Sequence, residues 1–138
     1  MMTVTQENLC ALFQRHGISP TPQRLSIAGI LFSGPRHLSA DQVIGELKLA
    51  GKKASKATVY NTLGLFSKVG LVREVIVDPG CVFYDSNTTP HQHIYDCDEA
   101  SLSDISPEDI NVQLLKELPD DVLVESIDVI VRVRQRKS

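Results

Sequence analysis

The stretch that most constrains this 138-residue chain runs from Ser55 to Tyr84. Ser55 offers an N-cap, Val59, Thr62, Leu63 and Phe66 recur at i, i+3, i+4 and i+7, and Gly70 supplies a stop. That spacing predicts an amphipathic helix. At 100° per residue, Ala57, Asn61, Gly64 and Lys68 take the opposite side, with Tyr60 at its margin. Two β-rich runs follow at once, Leu71–Val77 and Cys81–Tyr84, joined by Asp78-Pro79-Gly80, whose residues suit a tight turn.

Three helix signals precede this segment. Leu9, Leu12 and Phe13 recur at helical spacing before Gly17, with His16 on the helix face and assigned no role. Thr21 and Pro22 form an N-cap and first-turn pair ahead of Leu25, Ala28, Leu31 and Phe32, and Gly34-Pro35 ends that helix. Ser39 and Gln42 have capping-box spacing before Val43, Ile44 and Leu47, with Gly51 past the end. Helices ending in one with a polar outer face, then a hairpin, describe a winged helix-turn-helix over residues 1–85.

Residues 86–90, Ser-Asn-Thr-Thr-Pro, read as a hinge, and residues 91–138 as a second domain. His91–Cys97 and Ser101–Ile105 have strand character. Ser106-Pro107-Glu108-Asp109 predicts a helix start, with Ile110, Leu114 and Leu118 as its stripe and Pro119 as its stop. Val122–Val133 predicts a longer strand whose odd positions Ile127, Val129, Val131 and Val133 form an apolar side. About 50 residues are few for an independent core, so this half is expected to complete itself against a second copy. The fold class is α+β, a winged helix followed by a small α/β dimerisation domain.

Charge divides the same way. Residues 1–85 carry nine Lys/Arg against six Asp/Glu, a net +3, and residues 86–138 carry five against eleven, a net −6. The basic half suits a polyanion. Lys52, Lys53 and Lys56 stand where phosphate contacts form ahead of a helix, while Ala57, Thr58, Tyr60 and Asn61 occupy the first turns, which can reach base edges. Arg24 joins them as a DNA-contact candidate. The competing reading makes the lysines a solvated helix entry and Asn61 an idle surface residue.

His91 and His93 point the same way if strand-borne, a recurring way to hold a metal. Asp85, Asp104 and His37, read in a loop between helices, add donors. Mixed imidazole and carboxylate donors suit Fe(II), Mn(II) or Zn(II). Cys10, Cys81 and Cys97 fit neither a disulfide framework nor a CxxC knuckle and are read as reduced. The longest apolar runs are a few residues, so no membrane span is expected, and with no secretory signal the expected location is the cytoplasm.

Thr21-Pro22-Gln23-Arg24, His37-Leu38-Ser39-Ala40, Ala57-Thr58-Val59-Tyr60-Asn61-Thr62-Leu63, Gly70-Leu71-Val72 and His91-x-His93 resemble, in order and spacing, the ferric uptake regulator family. The resemblance covers nearly the whole chain, strongly for residues 18–94. It implies a homodimeric repressor that binds a double-stranded DNA operator, not an enzyme. It also implies one regulatory Fe(II) or Mn(II) per subunit on His37, Asp85, His91, His93 and Asp104, with Zn(II) possible in vitro. Asp at positions 85 and 104, and Asn61 after Tyr60, are similar to the peroxide-sensing branch, whose signal is oxidation of a ligand histidine at the iron. Where family members carry a structural zinc held by four cysteines, this sequence has Asp96-Cys97-Asp98-Glu99 and no second CxxC, so that zinc is not expected. A metal-availability repressor of the same fold is the near alternative. A small non-haem iron enzyme using His91, His93 and a carboxylate is the distant one, and an interaction module with idle histidines is the plainest.

Overall fold

The computed structural model describes residues 5–34 and 36–137; Pro35, expected to help end the second helix, lies outside them. They fall into two compact units, divided between Thr88 and Thr89. The first unit contains α1 (Gln6–Arg15), α2 (Pro22–Leu31), β1 (His37–Ser39), α3 (Ala40–Leu49), α4 (Lys56–Lys68), β2 (Arg73–Asp78) and β3 (Cys81–Asp85). All four helices begin on a hydroxyl that accepts a backbone N–H of the first turn: Thr5 from Asn8, Thr21 from Arg24, Ser39 from Gln42 and Ser55 from Thr58. At Ser39 the Gln42 side chain returns the bond, completing the capping box.

The helices close around Phe13, Ile27, Leu31, Val43, Leu47, Val59, Leu63 and Phe66. The rings of Phe13 and Phe66 lie 5.5 Å apart in a tilted pair that ties α1 to α4. The α4 stripe is buried as its spacing predicts. In α2 the sequence pattern misses Ile27, which is fully buried, while Leu25 and Phe32 are only partly covered.

After α4 the chain must reverse into the hairpin. Gly70 makes this possible with φ +78°, and Leu71 N–H donates to the Phe66 carbonyl at 2.8 Å while Gly70 N–H donates to that of Ser67. That pair of bonds satisfies carbonyls left over at the helix end. The sheet order is β1-β3-β2, all antiparallel, so β3 is central. His37 therefore sits on a strand and not in the expected loop: residues 37–39 pair with β3 before Ser39 caps α3.

The second unit has β4 (Gln92–Asp96), β5 (Ser101–Ile105), a single 3-10 turn (Pro107–Asp109) and β6 (Ile130–Val133). Its sheet order is β5-β4-β6, with β6 parallel to β4. The predicted helix after Ser106 is not formed beyond that 3-10 turn. A helix of about ten residues is marginal without a packed face, and Leu114, on its stripe, is half exposed. The long strand is also shorter than predicted. Only residues 130–133 pair in the ladder, and Ile127, Val131 and Val133 of its apolar side stay 37–40% exposed.

Candidate metal centre and nucleic-acid face

Each unit carries donors on antiparallel strands, and in each a histidine stands directly across from an aspartate. In the first unit His37 of β1 pairs with Asp85 of β3 in register, and His37 Nε2 lies 3.2 Å from Asp85 Oδ2. Asp85 is 1% exposed, and its other oxygen accepts the Asn87 N–H at 2.8 Å. The buried carboxylate is thus fixed on both sides.

In the second unit His93 of β4 stands opposite Asp104 of β5. Asp104 Oδ1 is 3.5 Å from His93 Nε2 and 3.1 Å from His91 Nε2, and the two imidazole rings are 4.4 Å apart. His91 Nδ1 is 2.6 Å from the Thr89 carbonyl. A carbonyl only accepts, so Nδ1 donates in that contact and Nε2 is the ring atom that faces Asp104. In His37, His91 and His93 alike it is Nε2 that faces a carboxylate oxygen, and the Nδ1 bond of His91 is the usual second contact of a ligating histidine. Gln92, between them, bonds the segment leading to β6 with both ends of its amide: Nε2 donates to the Ile127 carbonyl and Oε1 accepts the Val129 N–H. That holds β4 from its other edge.

Tyr84, next to Asp85 and buried, has its hydroxyl pKa pushed up by burial, then by Glu74 and Tyr60, and so stays neutral.

On α4 the outward residues Lys56, Ala57, Tyr60, Asn61, Gly64 and Lys68 are exposed, as the helical rotation requires. Lys56 Nζ lies 5.9 Å from the Tyr60 ring centre, a cation–π contact that holds both side chains over the first turns. Thr58 is half-buried, and its hydroxyl is 2.8 Å from that of Ser55, so it reinforces the cap. Lys52 and Lys53 are exposed and border an open hollow of about 560 Å³ with Gln23, Lys48, Ser55 and Thr58. Lys48 borders the same hollow and is not among the candidates read from the sequence. Its signal was its place in the last turn of α3, the turn that precedes the lysine loop. Arg24 does not border the hollow; its guanidinium donates to the Ser19 carbonyl at 2.9 Å and braces the entry to α2.

A winged helix followed by a small three-stranded sheet, with imidazole–carboxylate donors in both units, defines a two-unit α+β winged-helix class. Within it the chain belongs to the ferric uptake regulator family, whose model matches residues 15–131. It is 34% identical over 88 residues to the peroxide-responsive repressor PerR of Staphylococcus epidermidis, covering 64% of this chain and 59% of that protein. The PerR of Staphylococcus aureus is 36% identical over 89 residues, covering 64% and 60%. The matched part thus spans about three-fifths of these relatives. Among solved structures, the manganese-containing ferric uptake regulator of Pseudomonas aeruginosa superposes with a TM-score of 0.67 at 25% identity, over 92% of this chain and 97% of that one. The Vibrio cholerae ferric uptake regulator gives 0.70 at 19% identity, over 89% and 96%, a likeness of fold. No helix among the described residues is long and apolar enough to cross a membrane.

Proposed function

We propose that this chain is a metal-dependent, DNA-binding transcriptional repressor acting as a homodimer, and that hydrogen peroxide is its signal. The observation that carries the reading is the repeated cross-strand His–Asp pair: His37 with Asp85 in one unit, His93 and His91 with Asp104 in the other. In this reading one ion takes all five donors. The first unit contributes two, the second three, so the ion favours one arrangement of the units. Metal then strengthens DNA binding only as far as it prefers that arrangement, and DNA strengthens metal binding by the same factor, typically about 5–150-fold.

Lys52, Lys53 and Lys56 contact phosphate, and Tyr60 and Asn61 read base edges, with Ala57 and Thr58 lying along the same turns. Arg24, whose guanidinium braces the α2 entry, is a further DNA contact, and Lys48 joins the phosphate set. The donor set suits Fe(II) or Mn(II), with Zn(II) an in vitro substitute. Iron, when bound, supplies the one-electron chemistry that reduces hydrogen peroxide, with a net gain of one oxygen atom on a neighbouring imidazole and release of water. His37 and His91 are the imidazoles proposed to receive it. An oxidised imidazole no longer donates through the same lone pair, and the preference for the DNA-competent arrangement is lost.

The relatives named peroxide-responsive repressors and the Asp identity of both carboxylates support peroxide over metal availability as the signal. The test is DNA retardation by the full chain with Mn(II) and with chelator, for wild type and His37→Ala. Metal-dependent retardation that His37→Ala abolishes is the expected result. Retardation indifferent to metal in both proteins would refute the reading.

A further inference from the structure

The donor pair of the first unit sits at the end of a strand of only three residues, and such a strand does not hold itself. One residue beyond the His37–Asp85 register, Ser86 N–H donates to the Arg36 carbonyl at 3.3 Å, and the Ser86 hydroxyl lies 3.4 Å from both the Arg36 N–H and the Gly34 carbonyl. The ladder is thus extended past the donors. The Arg36 side chain then leaves the sheet. Its Nη1 and Nη2 donate to Glu46 Oε1 and Oε2 of α3 at 2.9 and 2.6 Å, a two-pronged pair, and Nη1 also reaches the Ile30 carbonyl in the last turn of α2 at 3.3 Å. One guanidinium therefore joins the residue before a donor to two helices. The other end of β1 is fixed too, because Ser39 caps α3 directly.

We propose that Arg36 and Glu46 are positioning residues for the His37–Asp85 donors, a strut that holds the donor strand in fixed relation to α3 and, through the packing of α3 on α4, to the DNA-facing helix. The inference rests on the proposed metal site. The pair is about one-third exposed, so its Coulomb attraction alone is modest. Its value lies in geometry. The planar fork fixes two contacts at once, which a lysine ammonium does not reproduce, and groups that orient ligands act on metal affinity without touching the metal.

The experiment measures Mn(II) binding to the full chain from the electron spin resonance of unbound Mn(II), alongside thermal unfolding in chelator. The variants are His37→Ala, Arg36→Lys, Glu46→Gln and the double Arg36→Lys/Glu46→Gln. His37→Ala should bind far more weakly than wild type. Arg36→Lys and Glu46→Gln should each weaken Mn(II) about fivefold, equivalent to about 1 kcal/mol. The double variant should be no weaker than the weaker single, because both changes remove the same tie. A purely structural role lowers the melting temperature and leaves Mn(II) affinity of the folded chain within about twofold of wild type, and that result overturns the strut. Additive losses in the double variant overturn it as well. If His37→Ala binds Mn(II) like wild type, the metal site itself fails and the strut falls with it.

Discussion

Removing His37 should destabilise the metal-free chain, because Asp85 depends on it. The Asp85 carboxylate is 1% exposed and has the His37 Nε2 at 3.2 Å on one oxygen and the Asn87 amide on the other. His37→Ala leaves a buried acceptor without its imidazole, and a buried charged group that loses a hydrogen-bonding partner costs about 1.5–3 kcal/mol. Spread over a folding unit of this size, about 2 kcal/mol lowers the melting temperature by about 8–16 °C. His37→Ala/Asp85→Val removes both partners and so should recover part of that loss. The assay is circular dichroism melting in chelator. A His37→Ala chain that melts within about 2 °C of wild type, or a double variant that melts lower than the single, would refute this account of the buried pair.

Asn61→Ala should cost about 1–3 kcal/mol at the cognate operator and relax its specificity, whereas Lys56→Ala should weaken cognate and random duplexes alike and flatten the salt dependence, both read by titration with labelled DNA. Val131→Asp should leave the unit folded, since Val131 is 39% exposed in the single chain, yet abolish self-association in sedimentation by placing an unpaired charge in the interface proposed for the homodimer. Gly70→Ala should cost about 1–2 kcal/mol in chemical unfolding from the left-handed backbone alone, because a Cβ there meets no neighbour within 4 Å.

The first unit was legible in the sequence because its signals are local. Thr21, Ser39 and Ser55 cap helices where their hydroxyls stand three residues ahead of an N–H, and Val59, Leu63 and Phe66 bury as a stripe whatever lies opposite. The sequence reads as a loop at His37 because three residues between Gly34-Pro35 and a capping serine carry no strand period; only the distant β3 makes them a strand. Residues 110–118 show the opposite failure. Ile110, Leu114 and Leu118 have helical spacing, but periodicity states which face a helix would bury and not whether a surface exists to bury it. The His–Asp donor pairs were legible as residue types. The His37–Asp85 register came only from pairing strands distant in sequence, whereas His93 and Asp104 face each other across neighbouring strands whose register the short turn between them sets. The Arg36–Glu46 fork left no sequence signal, since Arg36 precedes β1 and Glu46 lies in α3, so no single periodicity relates them.

In the proposed function the five donors make a metal-gated switch that peroxide opens. The most direct measurement loads the chain anaerobically with Fe(II) or Mn(II), gives both forms the same brief peroxide dose, and compares DNA retardation with the peptide masses spanning His37, His91 and His93. The iron form should lose its DNA and gain one oxygen on His37 or His91, while the manganese form keeps both its DNA and its mass. An iron form that stays on DNA with no added oxygen on any of the three histidines would contradict the peroxide switch and leave metal availability as the signal.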